Sequence, residues 1–578
     1  MDPLRPEPPT SALGVDLGRF PLRTPATIRR ERRAWTWLVL ILVLAALLRL
    51  GGLQWGLPDA THVFSYHPDE YHSLRGAFSA VLGGDPNPHF FNYGSLYLYL
   101  VTGAVVLADS PVPSIMDPQS MAKMLHDWTL AARHLNLLLA LATVVVVYLT
   151  GRELLGRRFG LLAAFGLAVF PLHVLHSHYA TVDVPQAFFI ALTLLFTVRI
   201  GKRASPRDYL YAGLCAGLAA STKYSGALVL VAPLIAHCAA APGERETKLI
   251  AWQPLALLAV AAAAFAVTSP YTFLDWTHAR ADILFELQHM QAGEEPARSA
   301  DPNGWLFHGL GLAVTTGGAA VVALLGLVGV YFSRFRRPAL AVALFGLLWF
   351  VMISLAHVRY GRYEVGLTPV VALLMGAGCA SLYTRRVWLR MMSVLLPGLV
   401  IGLSLGTSGM MSCGLQREPD PRDVALRSLL SNVPPGRTVG LAWEPWFNAP
   451  PVDPLNGGQV LRHSPFWRQF SRPLRPLVIT GVDVAALRGA RPFAYALSNF
   501  EIRDALRLQQ PGARQFRETL SALYLPAVVA AREAPLAGTL GWVPPQDWLY
   551  AFPEVSVYIL KAPPAAPVLP AKPTPPRP

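Results

Sequence analysis

Cysteine is rare in this sequence, which has four cysteines among 578 residues. They are widely spaced, form no CxxC pair and lie mostly inside apolar runs: Cys215, Cys238, Cys379 and Cys413. This spacing provides neither a disulfide framework nor a zinc site. Glycine-rich loops of the GxxxxGKS/T or GxGxxG type are also missing after the predicted strands, so the sequence does not indicate a site for ATP or a nucleotide sugar.

Charge is scarce as well, because only 15% of the residues are charged whereas 53% are hydrophobic. The apolar residues come in runs of roughly 17–25, which is the length needed to cross a bilayer as a helix. The net charge of +14 comes from short Lys and Arg clusters between these runs and in the tails. Such clusters are typical of cytoplasmic loops. The composition therefore predicts a multi-pass membrane protein and argues against nucleic acid as a partner.

Apolar runs and basic clusters together predict about eleven transmembrane helices, with the N-terminus in the cytoplasm and the chain leaving on the outer face. The predicted spans are about 35–53, 128–150, 159–176, 184–200, 209–222, 224–241, 250–269, 308–332, 339–356, 364–383 and 391–409. The first run has no cleavage site after it, so we expect a retained helix rather than a signal peptide. Residues 93–107 are also apolar, but a crossing there would invert every later loop, so we expect a re-entrant or interfacial helix.

The same pattern divides the chain into segments. These are a disordered basic cytoplasmic tail at 1–33, a transmembrane domain at 34–409 with outer loops at 54–127 (carrying juxtamembrane helices) and 270–307, an extracytoplasmic α/β domain at 410–561, and a Pro-rich disordered tail at 562–578. Short β-like runs that alternate with helical patterns indicate the α/β domain. The runs are 438–443, 477–480, 493–497 and 555–560. We therefore expect a polytopic α-helical membrane protein with a small C-terminal α/β domain outside the membrane.

A polar stretch, Tyr66 to His72, directly follows the first predicted span. It holds two adjacent carboxylates, Asp69 and Glu70, and charged groups beside a membrane are costly to keep there, which favours a functional role. A plain structural role is also open, because Pro-Asp-Glu suits the first turn of a helix. The functional interpretation is a general base. A zinc site is not indicated by the spacing of the two histidines, although a divalent cation on the acidic pair remains open.

Other unusual polar residues come at the same outer helix ends. They are His67, His72, His176, His178, Asp183, Lys223, Arg359 and Arg362. Each has a structural explanation: Asp183 suits a helix N-cap, Lys223 suits a snorkelling position, and the arginines suit helix-end anchors. Taken together, cations beside carboxylates on one membrane face suit a lipid-linked phosphate, since Arg or Lys binds the phosphate while a carboxylate activates the attacking group.

Several of these motifs resemble a known family. They are His67-Pro68-Asp69-Glu70-Tyr71 after the first span, an outer Asp183, Ser221-Thr222-Lys223-Tyr224-Ser225-Gly226, and Arg362-Tyr363 ahead of Pro369. Over about 35–410 the chain resembles the GT-C membrane glycosyltransferases, in the polyprenyl-phosphate-sugar-dependent branch that is similar to protein O-mannosyltransferases and lipid A aminoarabinose transferases. One departure is Gly366, where relatives more often have a second proline.

The resemblance implies an inverting hexosyl- or pentosyltransferase in the plasma (inner) membrane, with its active site and C-terminal domain on the non-cytoplasmic side. It implies that Asp69 is the catalytic base or the carboxylate that orients the acceptor, that Glu70 supports it, and that Asp183 lines the same cavity and contacts acceptor or sugar hydroxyls. The donor implied is a polyprenyl-phosphate-linked sugar, and the acceptor is a glycan, lipid or protein hydroxyl. We assign Lys223 and Arg362 to the donor phosphate by charge. The remaining candidate substrate-binding residues are His67, Tyr71, His72, His178, Tyr224, Arg359 and Tyr363.

Two alternatives from other classes remain at this point. Many spans with charged residues also suit a transporter or flippase of lipid-linked sugars. A protein of this fold that only binds lipid-linked glycans is the second alternative. Against transport, the charged residues cluster at one face rather than at the bilayer midplane, and the sequence has no internal repeat.

Overall fold

The computed structural model describes residues 25–110, 112–113, 118–239, 252–292, 303–332, 336–452 and 475–561. Most of the first predicted tail (1–24) and all of the second (562–578) lie outside these residues. The first helix begins at Pro25, so residues 25–33, which the sequence places in the tail, are helical. The helical start fits their composition, because Arg and Glu are good helix formers.

Helices dominate the first 417 residues. They are α1 (Pro25–Leu50), α2 (Glu70–Ser73), α3 (Arg75–Ala77), α4 (Leu96–Leu107), α5 (Pro118–Leu155), α6 (Arg157–Val169), α7 (Pro171–His176), α8 (Asp183–Arg203), α9 (Pro206–Thr222), α10 (Val231–Cys238), α11 (Trp252–Thr268), α12 (Tyr271–Leu274), α13 (Trp276–Ala292), α14 (Gly304–Thr315), α15 (Ala319–Phe332), α16 (Arg336–Leu355), α17 (Thr368–Leu382) and α18 (Val387–Arg417). A π turn covers Phe78–Leu82, and 3₁₀ turns cover Tyr224–Leu230 and Gly361–Leu367.

Within the described residues, 6 helices are long and apolar enough to cross a membrane, or 7 if one bent pair counts as a span. This mostly helical architecture with several membrane-length helices agrees with the predicted class. Helix α4 has 12 residues, and at 1.5 Å per residue it is too short to cross a hydrocarbon core of about 30 Å. Helix α5 begins at Pro118, inside the predicted first outer loop, and its 38 residues are more than a bilayer crossing requires.

One predicted span is broken in the structure. Residues 308–332 read as a single apolar run, but α14 ends at Thr315 and α15 begins at Ala319, and the two helices meet at 103°. Gly317 and Gly318 between them have φ angles of +61° and +88°. Glycine adopts positive φ without the steric cost that a side chain brings, so this pair permits a sharp bend inside an apolar run.

The predicted cytoplasmic loops come together at one end of the bundle. Arg157 forms an ion pair with Glu31 at 3.0 Å, and Arg203 forms one with Glu153 at 3.2 Å. These contacts join the start of α1, the α5–α6 connection and the end of α8. The polar residues around Asp69 lie at the opposite end, which faces the C-terminal domain.

The described residues 418–452 and 475–561 form this C-terminal domain, in which they build a five-stranded sheet of order β2-β1-β3-β5-β4. The strands are β1 (Thr438–Leu441), β2 (Arg475–Ile479), β3 (Ala494–Ser498), β4 (Tyr524–Ala531) and β5 (Glu554–Leu560). The helices are α19 (Pro421–Asn432), α20 (Val484–Ala490), α21 (Asn499–Arg507), α22 (Ala513–Leu523) and α23 (Gln546–Leu549). β1 pairs in parallel with β2 and β3, whereas β5 is antiparallel to β3 and β4. Helix α18 runs to Arg417, beyond the domain boundary that the sequence suggests at 409.

An aromatic cluster joins the C-terminal domain to the helices. Trp55, Tyr179 and Val365 from the helical part pack in one buried group with Trp548 and Tyr550, which belong to α23 and the residue after it. Burying large aromatic surfaces is strongly favourable. This cluster fixes the C-terminal domain on the end of the bundle where Asp69 and Arg362 lie.

Candidate active site

Asp69 and Arg362 form an ion pair across 293 residues of sequence. Asp69 directly precedes the short helix α2, and Arg362 is the second residue of the 3₁₀ turn Gly361–Leu367. Burial raises the pKa of the Asp69 carboxyl, but the guanidinium of Arg362 and the nearby imidazoles outweigh burial and leave that pKa below its ordinary value. Asp69 is therefore ionised at neutral pH and able to accept a proton.

A second pair lies beside the first. Lys223 follows the end of α9, and its Nζ lies 2.8 Å from a carboxylate oxygen of Asp183, the first residue of α8. Val182, rather than Asp183, occupies the N-cap position of α8. The ammonium group also lies 5.1 Å from the centre of the Tyr363 ring and 6.0 Å from that of Tyr93. Lys223 is therefore held between a carboxylate and two aromatic faces, rather than free in a snorkelling position.

These cations share a cavity of about 420 Å³. Arg362, Lys223 and Asp183 line its polar end, and Asp69 contacts this wall through Arg362. The other lining residues are Asn92, Tyr93, Gln186, Tyr224, Ser225, Ile283, Glu286, Leu287, Met290, Trp349, Met352, Ile353, Ala356 and Tyr363. A cavity with two cations at one end and apolar side chains from α13 and α16 elsewhere suits an anionic head group that carries a hydrocarbon chain.

Glu70 faces away from this cavity. Its carboxylate is fully buried and accepts hydrogen bonds from Nε and Nη2 of Arg133 at 2.7 and 2.8 Å. The backbone N–H of Ala180 donates to Oε1 of Glu70 at 2.7 Å, and the Ser65 hydroxyl donates to Oε2 of Glu70. Burial raises the pKa of Glu70, but Arg133 outweighs burial and the net pKa is lowered. Both oxygens are thus occupied, so Glu70 holds the loop that presents Asp69.

The two adjacent carboxylates also do not form a shared cation site. Asp69 turns to Arg362 and Glu70 turns to Arg133, so each is already neutralised by its own guanidinium. Within the described residues, no group of three or more His, Cys, Asp or Glu side chains is arranged to hold a metal ion. The divalent cation that the sequence leaves open finds no built site at this pair.

His67 and His72 support the loop from either side. The Nδ1 atom of His67 accepts the backbone N–H of Asp69 at 3.3 Å, and its ring packs against Tyr179 and Tyr550. The His72 ring stacks on Phe90 with centres 5.1 Å apart. Burial lowers the pKa of both imidazoles despite the opposing effect of Asp69. Both rings are therefore neutral at pH 7, so neither binds an anion by charge, and His67 positions Asp69 through its hydrogen bond.

The remaining predicted residues separate into two groups. Tyr224 and Tyr363 line the cavity, and the Tyr224 hydroxyl donates to the carbonyl of Phe91 at 2.9 Å. Tyr71, His178 and Arg359 do not line it. The Tyr71 ring packs against Phe78 and lies near Arg75. The Nε2 atom of His178 lies 2.7 Å from the carbonyl oxygen of Gly51. The buried Nε and Nη1 atoms of Arg359 have no hydrogen-bond partner among the described residues.

Four residues of this region escape the sequence reasoning: Arg133, Glu286, Tyr93 and Asp547. Arg133 had a usable signal, because a charged residue inside the apolar run 128–150 is costly and needs a partner. Asp547 had none, since it is one of several carboxylates in a polar domain. Its carboxylate nonetheless lies 3.9 Å from the buried His176.

Comparisons with known proteins bear on this arrangement. Residues 119–273 match the family described as dolichyl-phosphate-mannose-protein mannosyltransferase. A search of curated proteins finds no match. The structure of ArnT from Cupriavidus metallidurans bound to undecaprenyl phosphate is similar, with a TM-score of 0.50 and 15% identity over 90% of this chain and 98% of that chain.

Two further similar structures are more distant. The oligosaccharyltransferase from Archaeoglobus fulgidus in the apo form has a TM-score of 0.46 and 13% identity. The match covers 71% of this chain and 62% of that chain. The S. cerevisiae protein O-mannosyltransferase Pmt1-Pmt2 complex bound to the sugar donor has a TM-score of 0.31 and 19% identity over 45% of this chain and 35% of that chain. The fold shared with ArnT and the family match of residues 119–273 agree with the resemblance to the GT-C membrane glycosyltransferases seen in the sequence.

Proposed function

We propose that this protein transfers a hexosyl or pentosyl group from a polyprenyl phosphate to an acceptor hydroxyl at the outer face of the plasma (inner) membrane. The observation that carries this proposal is the cavity in which Arg362 and Lys223 lie beside Asp69 and Asp183 at one end of an apolar space. Two cations match the charge of a phosphate, and the apolar wall matches the chain attached to it. The ArnT structure that shares this fold holds undecaprenyl phosphate, which supports the same class of ligand here.

The proposed reaction is an inverting displacement at the anomeric carbon. Asp69 accepts the proton of the acceptor hydroxyl as its oxygen forms the new bond to the anomeric carbon. The bond between that carbon and the phosphate oxygen breaks, and its electron pair leaves with polyprenyl phosphate. Arg362 and Lys223 stabilise the charge that develops on this leaving group. Asp183, which holds Lys223, is placed to accept hydrogen bonds from sugar or acceptor hydroxyls.

The Asp69–Arg362 pair gives this mechanism a link between binding and base strength. Arg362 keeps the pKa of Asp69 low in spite of burial. A phosphate that binds Arg362 competes for its guanidinium and weakens the pair. The pKa of Asp69 then rises, because burial disfavours the charged carboxylate. A carboxylate with a raised pKa is a stronger base, so donor binding activates Asp69 for the acceptor proton.

Transfer of labelled sugar from lipid to water-soluble or membrane acceptors tests this proposal. Purified protein in nanodiscs is incubated with radiolabelled polyprenyl-phosphate sugars and a membrane extract. We expect label to leave the lipid with wild type and not with Asp69→Asn. The matched control is Asp109→Asn, which changes an exposed carboxylate in the same loop and should transfer like wild type.

The same experiment separates the alternatives. Label that stays on the lipid with each donor tried, while both wild type and Asp69→Asn still bind that lipid, contradicts the transferase and supports a binder. With the same two proteins in sealed vesicles, movement of intact labelled lipid between leaflets that is unaffected by Asp69→Asn supports a flippase.

A further inference from the structure

Asp547 lies in the C-terminal domain but its carboxylate is bonded to the helical part. The side chain is fully buried in α23. One carboxylate oxygen accepts the backbone N–H of Gly361 at 3.1 Å, and the other accepts the backbone N–H of Arg362 at 2.7 Å. These two groups lie 186 and 185 residues before Asp547 in the sequence. A single carboxylate therefore joins the two halves of the molecule.

The two N–H groups begin the 3₁₀ turn Gly361–Leu367. The first N–H groups of a helical turn have no partner within the turn, and a buried N–H without an acceptor is costly. Asp547 supplies both acceptors, and a carboxylate also interacts favourably with the positive end of the turn. The backbone of Arg362 is thus held by Asp547, while its side chain contacts Asp69 and lines the cavity.

The packing around this contact leaves little freedom. A Cβ atom on Gly361 would lie 3.1 Å from Cγ of Pro545 and 3.2 Å from Nε1 of Trp548. The segment on either side of Asp547 is thus pressed directly against the start of the turn. Trp548 is fully buried and belongs to the same aromatic cluster as Val365, which lies within that turn.

We propose that Asp547 is a positioning residue for Arg362, so that the C-terminal domain sets the geometry of the phosphate-binding end of the cavity. The proposal deepens the proposed function and depends on it for the role of Arg362. It assigns a specific task to the C-terminal domain. Removal of one carboxylate oxygen as an acceptor should loosen the turn and misplace the guanidinium.

Two measurements on the full-length Asp547→Asn protein test this proposal. Hydrogen exchange followed by mass spectrometry reports on residues 358–367. We expect exchange to accelerate on the order of tenfold or more, because the loss of one charge-assisted hydrogen bond allows that change. Titration with undecaprenyl phosphate in nanodiscs, read by native mass spectrometry, should show affinity weakened by on the order of tenfold.

Glu501→Gln is the matched control for a general loss of stability. Glu501 is another buried carboxylate of the C-terminal domain that accepts backbone N–H groups, from Ser498 at 2.9 Å and Trp443 at 3.2 Å. Its substitution should destabilise the domain yet leave both the 358–367 exchange and the lipid affinity at wild-type values. The double variant Asp547→Asn with Arg362→Gln adds a second check, because a residue that acts through Arg362 causes no further loss of affinity once Arg362 is gone.

The outcomes separate the two proposals. Unchanged exchange in Asp547→Asn, or faster exchange with unchanged lipid affinity, overturns the positioning role. Additive losses in the double variant overturn it as well, since they indicate a general structural effect. If wild type itself binds no undecaprenyl phosphate, the donor class in the proposed function is wrong. The exchange of residues 358–367 still decides whether Asp547 holds this turn.

Discussion

Lys223 Nζ lies 2.8 Å from the Asp183 carboxylate and 5.1 Å from the centre of the Tyr363 ring. A lysine held between a carboxylate and the face of an aromatic ring loses much of its rotational freedom. The ammonium group is therefore fixed in the cavity by its contacts with the protein. Preorganisation of this kind lowers the entropic cost of binding.

Substitution of Lys223 should weaken lipid-phosphate binding. For Lys223→Gln we expect affinity for undecaprenyl phosphate to fall roughly ten- to hundredfold, because a charge-assisted hydrogen bond is lost. Lys123→Gln is the control, since Lys123 pairs with Asp127 at 2.7 Å but its side chain is 71% exposed. Native mass spectrometry in nanodiscs measures both. Equal affinity in Lys223→Gln and wild type would remove Lys223 from the phosphate site.

The bend between α14 and α15 should be sensitive to a single methyl group. Gly317 has φ +61°, and a Cβ there would collide with the Ser404 hydroxyl. Gly317→Ala should therefore destabilise the protein by at least about 1–2 kcal/mol, the cost of a left-handed conformation for a residue with a side chain. Gly402→Ala is the control, because Gly402 lies inside α18 with open space around it. Thermal unfolding in detergent should show a lower midpoint for Gly317→Ala than for wild type. The midpoint of Gly402→Ala should not be lowered.

Sequence reasoning identified the helical class because apolar run length is a direct consequence of bilayer thickness. It did not identify the break at Gly317, since two glycines in an apolar run fit both a straight and a bent helix. Strand β4, Tyr524–Ala531, also escaped, because its mostly apolar sequence lacks the alternation that marks a half-buried strand. A local sequence pattern thus predicts the presence of a helix or strand more reliably than it predicts how that element bends or pairs.

The candidate site was also only partly predictable from the sequence. Charge near a membrane is costly, which points to Asp69, Asp183, Lys223 and Arg362. The structure brings Asp183, Lys223 and Arg362 to one cavity and pairs Asp69 with Arg362. Their pairing was not predictable, since Asp69 and Arg362 are separated by 293 residues. Asp547 was out of reach for a different reason: it bonds to backbone N–H groups, and backbone partners leave no mark on the sequence.

The pH dependence of stability should include a contribution from His67. Burial lowers the pKa of this imidazole, so the unfolded chain takes up the proton first as the pH falls. Stability is therefore lost as the pH drops below about 6.5, the ordinary histidine value, toward the lower folded pKa. His67→Asn cannot titrate, so its stability should fall less than that of wild type between about pH 7.5 and 5.5. His278→Asn changes an exposed histidine and should follow the wild-type profile.

Chemical unfolding across that pH range measures this difference. The contradictory result is a wild-type and a His67→Asn curve that run parallel, because this would mean that His67 takes up protons equally in the folded and unfolded states.

Glu70 and Arg133 provide the sharpest test of which adjacent carboxylate does chemistry. The pair is fully buried, and Arg133 also donates to the carbonyls of Leu53 and Trp55 at 2.7 and 2.6 Å. Glu70→Gln leaves the guanidinium buried without a counter-charge, so we expect a loss of about 3–5 kcal/mol in the free energy of unfolding. Asp127→Asn breaks the exposed pair with Lys123 and should cost less than about 1 kcal/mol.

Activity per folded molecule then distinguishes support from catalysis. Because both Glu70 oxygens are already occupied, the folded fraction of Glu70→Gln should still transfer sugar within a few-fold of wild type, whereas Asp69→Asn should not transfer at all. The reverse pattern, full stability with no transfer in Glu70→Gln, would mean that Glu70 leaves Arg133 during the reaction and accepts the proton itself. Size-exclusion chromatography before each assay provides the folded fraction, so that a stability defect is not mistaken for a chemical one.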